Sequence, residues 1–146
     1  MAVAIGIGSA MSVASTSAGA LVIGKIRSID GPEVDRPPMD VTTMDSAGSY
    51  REFRTGGPID GGEVSLDIVY FTTDAGMRYL VNHLEANPHA VASSAALKTY
   101  TITYGSAGGT QAFAAVIAGL SQAIPLDDAI TRTVRLKVTG DAGFTT

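Results

Sequence analysis

The chain has 146 residues, no cysteine, 16% charged residues and a formal net charge of −4. That length fits one domain able to bury a core unaided, and the missing cysteines exclude disulfides and thiolate metal sites. The acidic balance excludes ordinary duplex DNA binding, which needs a basic footprint for counterion release, while the low charge fraction suits a surface covered by copies of the same chain.

Residues 1–24 contain no charged side chain. A secretory signal would place a basic stretch before its apolar core, and none is present. A membrane span would need about 20 mostly large apolar residues, whereas Gly6, Gly8, Ser9, Ser12, Ser15, Thr16, Ser17 and Gly19 interrupt this run. The expectation is a pliable start with a strand at residues 8–14, a turn through 15–19, and a second strand at 20–29. The run GIGSAMS from Gly6 lacks the strand, helix and third glycine of a dinucleotide loop, so it reads as turn or arm.

Residues 30–62 form a connection holding Pro32, Pro37, Pro38 and Pro58, broken by two short extended runs, VTTM from Val41 and SYREFR from Ser49. Compact domains rarely keep so long a connection without a function for it. From Asp30 to Asp67 lie nine of the fourteen acids, against three arginines. The segment reads as an assembly loop, with Asp30, Glu33, Asp35, Arg36, Asp40, Asp45, Tyr50, Arg51 and Arg54 as residues that meet a partner. Gly56-Gly57-Pro58 and Gly61-Gly62 lack the Lys-Ser/Thr of a phosphate loop and mark turns.

From Glu63 the chain alternates, with Val64, Leu66, Ile68 and Tyr70 on one face and Glu63, Ser65, Asp67 and Val69 on the other. Met77, Leu80, Val81 and Leu84 have helical spacing, which predicts a core-packing helix over 74–86 with Leu80 and Leu84 inside. Thr72 or Thr73 would cap it, Asp74 suits its positive end, and Asn87-Pro88 stops it. His83 and His89 read as surface polar groups near that helix end; with Glu85 they do not reach a metal-ligand spacing. Lys98 to Tyr104 alternates Tyr100, Ile102 and Tyr104 against threonines. A glycine turn then leads into a strand at 111–118, as in a hairpin. The last strand, 130–139, sets Ile130, Val134, Leu136 and Val138 against Thr131, Thr133, Arg135, Lys137 and Thr139, with Arg132 interrupting its apolar face. Residues 1–146 thus read as a single, mostly antiparallel β domain, a sandwich or barrel with one flanking helix.

No catalytic, cofactor or metal site is expected. Asp127-Asp128 point apart as sequence neighbours and mark a turn. Asp60, Glu63 and Asp67 could share a rim, yet tryptophan is absent, aromatics are 6%, and no nucleophile triad stands out. Three classes remain: a self-assembling structural protein, a β-sandwich binding module for glycan or protein on a capsid or secreted protein, and a small hydrolase using Glu63, Asp67 or Asp60. The long acidic connection and the uncharged arm favour the first.

Gly31-Pro32, DVTTMDS from Asp40, YREF from Tyr50, GGPIDGGEVSLDI from Gly56, and Asp127-Asp128 before the last strand together carry a resemblance. In order and spacing, over residues 8–140, they resemble the major tail tube proteins of long-tailed phages with non-contractile, lambda-like tails. The resemblance implies a β-sandwich with a flanking helix, assembled in the host cytoplasm into hexameric rings that stack as the hollow tube of a virion tail. It implies DNA passing through the lumen without specific binding, tape-measure and tail-terminator proteins as further partners, no cofactor and no membrane. In that family the long connection is mobile in the free subunit and orders against neighbours. Some relatives carry an extra immunoglobulin-like domain, and none is expected within these residues. The resemblance covers phages and gene-transfer particles alike.

A lumen that lets DNA slide must repel phosphate, which an acidic subunit repeated around a ring achieves. The face Glu63, Ser65, Asp67 is therefore the expected lumen face. The competing face, Thr131, Thr133, Arg135 and Lys137, would grip DNA unless acids from a neighbour paired with it.

Overall fold

Nine strands and one helix follow one another along the described residues: β1 (Ala10–Ser15), β2 (Gly19–Ile23), β3 (Ile26–Asp30), β4 (Pro38–Asp40), β5 (Phe53–Thr55), β6 (Glu63–Val69), α1 (Ala75–Glu85), β7 (Lys98–Thr103), β8 (Thr110–Ala123) and β9 (Thr131–Thr139). The computed structural model describes residues 7–15, 19–85, 98–105 and 108–144, with the backbone alone at 15 and 19. His89 and the Asn87-Pro88 stop lie outside these.

Seven strands form one antiparallel sheet in the order β2-β1-β7-β8-β9-β6-β3, and β4 pairs with β5 as a separate two-stranded ribbon. The two edge strands, β2 and β3, are consecutive in sequence. Only Gly24 and Lys25 lie between them, so Ile23 and Ile26 are at most roughly 11 Å apart. A sheet whose opposite edges are that close must curl until they nearly meet. Two bends achieve this. Lys25 takes a positive φ of 63°, and the register of β8 on β9 shifts between Ile117 and Gly119. β8 pairs with β7 in its first half and with β9 from Ala114 onward, so it turns the corner between two layers, as strands that switch sheets do. The single expected strand at 20–29 is therefore two strands, broken at the Lys25 bend. The expected strand at 111–118 extends to Ala123 because its second half has β9 as a partner.

One core fills the curl. Met11 and Val13 of β1, Val64, Leu66 and Ile68 of β6, Tyr100 and Ile102 of β7, and Val134, Leu136 and Val138 of β9 are all buried in it. These follow the period-two patterns, except that Tyr70 and Ile130 lie beyond β6 and β9 and are half-buried, and Tyr104 lies beyond β7 and is 37% exposed.

α1 lies on β2 and β8. Its cap is Asp74, whose Oδ1 accepts the Gly76 amide at 2.9 Å, rather than Thr72 or Thr73. The helix buries Gly76, Met77, Leu80 and His83; Val81 is half-buried, and Leu84 is 40% exposed. The expected core position of Leu84 is thus corrected, and so is the surface position of His83. The cause lies at both helix ends. Gly76 has no side chain and approaches the Ile23 backbone so closely that an added Cβ would stand 2.9 Å from its Cα. At the other end His83 Nδ1 is 2.6 Å from the Tyr100 hydroxyl, and the two rings stack with centroids 6.0 Å apart. Burial raises the Tyr100 phenol well above its ordinary pKa, so it stays protonated. The line Gly76, Leu80, His83 faces the sheet, and Leu84, on the same side but one residue from the helix end, is left partly uncovered.

Candidate assembly surfaces

All nine residues expected to meet a partner are exposed: Asp30, Glu33, Asp35, Arg36, Asp40, Asp45, Tyr50, Arg51 and Arg54. They lie on an arm, residues 30–62, whose root is pinned and whose outer part projects as the β4–β5 ribbon. At the root Asp35 and Asp60 exchange backbone hydrogen bonds of 3.0 and 2.8 Å. Gly62, with a φ of +76°, lies against the Glu33 carbonyl so closely that no Cβ would fit. Here the glycine is required by both conformation and space. Lys137 Nζ donates to Asp60 Oδ1 at 2.7 Å, tying the root to β9.

That bond to Lys137, followed by the Gly62 amide, holds the Asp60 carboxyl below its ordinary pKa. A carboxyl with a depressed folded pKa contributes stability above its unfolded value, and the contribution is lost as pH falls through the folded value. The root latch is therefore complete at neutral pH and loosens only in acid, below the ordinary carboxylate range. An NMR titration of the Asp60 carboxyl carbon is expected to show a midpoint below that of ordinary aspartates, and Lys137→Met to raise it. A midpoint unchanged by that substitution would remove Lys137 from the latch.

The ribbon's register pairs Pro38 with Thr55 and Asp40 with Phe53. The expected extended run VTTM instead forms the tip, because its polar groups bond one another. Asp40 Oδ1 accepts from the Thr42 amide at 2.9 Å and from its hydroxyl at 2.6 Å, the Glu52 amide donates to Thr42 Oγ1 at 2.9 Å, and the Thr43 amide donates to Ser46 Oγ at 3.0 Å. With these groups satisfied locally, the apolar side chains are left outside. Met39, Met44, Tyr50 and Phe53 are 55%, 106%, 83% and 55% exposed. The expectation from charge and proline content passed over Met39, Met44 and Phe53; large apolar residues in an acidic, proline-rich connection were the available signal.

The two competing lumen faces are one face. β6 and β9 are neighbours, and their register sets Glu63 opposite Lys137, Ser65 opposite Arg135, and Asp67 opposite Thr133. Glu63 lies 3.8 Å from Arg135, and Thr133 Oγ1 donates to Asp67 Oδ1 at 2.6 Å. The bases are thus paired within the chain rather than by a neighbour's acids. Arg135 lies across Gly119 of β8, where an added Cβ would stand 2.7 Å from Nη2. Asp30 of β3 sits opposite Ser65 and adds a further acid. The result is a polar, nearly neutral face with a small acidic excess.

Asp127 and Asp128 stand in a bend, as expected, with Asp128 Oδ1 accepting the next amide at 2.7 Å and Oδ2 lying 3.9 Å from Arg27. Among the described residues no group of acids and histidines could hold a metal, and no helix is long and apolar enough to cross a membrane.

Comparison with solved structures finds this fold in tails. The tail of an empty gene transfer agent particle, refined with C6 symmetry, matches with a TM-score of 0.73 at 16% identity, over 99% of this chain and 100% of that one. The SPP1 tail tube matches at 0.66 and 10% identity, over 94% and 77%. The anti-feeding prophage baseplate matches at 0.69 and 7%, over 96% and 94%. No curated protein matches in sequence. The family model for the lambda phage tail tube protein, TTP, matches residues 5–145. The chain belongs to the lambda phage tail tube protein family and is a structural subunit of a virion tail.

Proposed function

We propose that this subunit forms hexameric rings that stack into the tube, that residues 30–62 order against neighbouring copies during assembly, and that DNA passes down the lumen without specific binding. The observation that carries this is the β4–β5 ribbon. A lone two-stranded ribbon is marginal in water, and this one turns four large apolar side chains to solvent. An exposed apolar surface of this kind marks a contact with another protein. The C6 symmetry of the matched gene transfer agent tail supports six as the ring number. Tape-measure and tail-terminator proteins complete the partners in this reading. The role is non-enzymatic: Asp60, Glu63 and Asp67 are bonded to Lys137, Arg135 and Thr133, so the hydrolase reading has no free carboxylate pair. Electron microscopy and light scattering of the purified protein at rising concentration test it. Rings or tubes are expected, and a monomer at every concentration and salt overturns it.

In this reading the shared β6–β9 face, with Glu63, Ser65 and Asp67, lines the lumen. Its internal pairing leaves phosphate few free cations, and its acid excess repels weakly. Replacing Glu63 and Asp67 with lysine strips Arg135 of its acid and makes the face strongly basic. Tubes are expected to form, and DNA transit to slow by an amount that shrinks as salt screens the charges. Normal transit would place this face on the outside, and loss of rings would place it at a subunit interface.

A further inference from the structure

We propose that the groove between α1 and the β6–α1 connection is the receptor for the β4–β5 ribbon of a neighbouring copy, so that subunits join head to tail through an acidic apolar donor and a basic-rimmed apolar acceptor. The inference rests on reading the arm as an assembly element and names the surface it meets.

The groove encloses about 530 Å³. Leu21, Phe71 and Val81 give it an apolar lining, and Tyr70, Arg78 and Arg132 stand at its walls. Phe71 is 48% exposed. Arg132 holds its guanidinium 4.1 Å from the Tyr70 ring centre, and Lys25 holds its ammonium 5.4 Å from that of Phe71. Among the described residues none of these three cations has an ion-pair partner within 4 Å. Asp74 also lines the groove, and its Oδ2 is buried with no hydrogen-bond partner among the described residues.

The ribbon supplies what the groove lacks. Residues 38–55 carry three acids against two arginines, a net charge of −1. Asp40, Asp45 and Glu52 on the ribbon match Lys25, Arg78 and Arg132. Met39, Met44, Tyr50 and Phe53 offer the apolar surface.

Position completes the argument. The arm is rooted where Asp60 meets Lys137, at the Glu63 end of β6. The groove lies beyond the other end, at Tyr70 and Arg132. Seven strand residues separate them, about 23 Å. A donor at one pole and its acceptor at the other make a heterologous contact, which can repeat from one copy to the next along a stack.

The absence of native cysteine allows a direct test. Tyr50→Cys subunits are mixed with Asn82→Cys subunits, Asn82 being exposed on the groove, and allowed to assemble under oxidised glutathione. A disulfide-linked dimer is expected in the mixture, and none when Tyr50→Cys is mixed with Ser121→Cys, which places the thiol beside Thr133 on the face shared by β8, β9 and β6. Tubes that form without the Tyr50–Asn82 link overturn the groove and leave the assembly reading intact; wild-type protein that never assembles overturns both. A second measurement needs no thiol. Arg78→Glu with Arg132→Glu is expected to raise the concentration needed for assembly about tenfold or more, and Asp45→Arg with Glu52→Arg to restore it. Assembly of the double-glutamate variant at the wild-type concentration overturns the proposal.

Discussion

Subunits lacking residues 38–55 are expected to fold and to form no tubes. Pro38 and Thr55 are paired in register, so removing the ribbon leaves Pro37 and Gly56 about one strand spacing apart, and the joint needs no rearrangement of the body. The root survives, since the Asp35–Asp60 exchange and the Lys137 bond lie outside the deleted segment. None of the core residues is in the deleted segment. Assembly is a different matter. Covering Met39, Met44, Tyr50 and Phe53 at about 1.5 kcal/mol each would contribute roughly 6 kcal/mol per contact, on the order of 10⁴ in the association constant, before ordering costs. Circular dichroism and melting should match the parent, while microscopy shows no tubes at concentrations where the parent polymerises. Tubes from the deleted subunit at the parent's concentration would move the assembly energy elsewhere on the body.

Much of this was legible from alternation. Each period-two face in β6, β7 and β9 is set by large apolar residues against threonines and charges, and one residue of slip would turn every one of them outward. What the pattern could not reveal is where a strand changes partner. The run from Ala20 to Ile29 contains no proline, and its one internal glycine is followed by a lysine that itself takes a positive φ, so local signals are nearly silent at the corner. The same limit hid the union of the two candidate lumen faces. Each was read correctly along its own strand, but only strand order brings Glu63 beside Lys137 and Asp67 beside Thr133. The arm was visible as composition; its apolar outer surface becomes visible only when the polar tip residues are seen bonding one another.

The helix shows how small a cue decides burial. Spacing alone ranks Leu80 and Leu84 equally, and place along the helix separates them, Leu80 in its middle and Leu84 one residue from its end. Leu80 is fully buried, and Leu84 is 40% exposed. Leu80→Ala should therefore cost about 2–5 kcal/mol, the transfer term plus the cavity it leaves. At roughly 3 °C per kcal/mol for a domain of this size, that is a fall of about 10 °C in melting temperature. Leu84→Ala should stay within about 1 kcal/mol, as exposed substitutions do. Thermal unfolding of the two variants under conditions that keep the protein monomeric checks the pair. Equal falls would mean that the last turn of the helix is packed as tightly as its middle, with Leu84 covered like Leu80. No fall at Leu80 would mean that the whole stripe faces a neighbouring subunit, and the groove beside α1 would then be one wall of a larger interface.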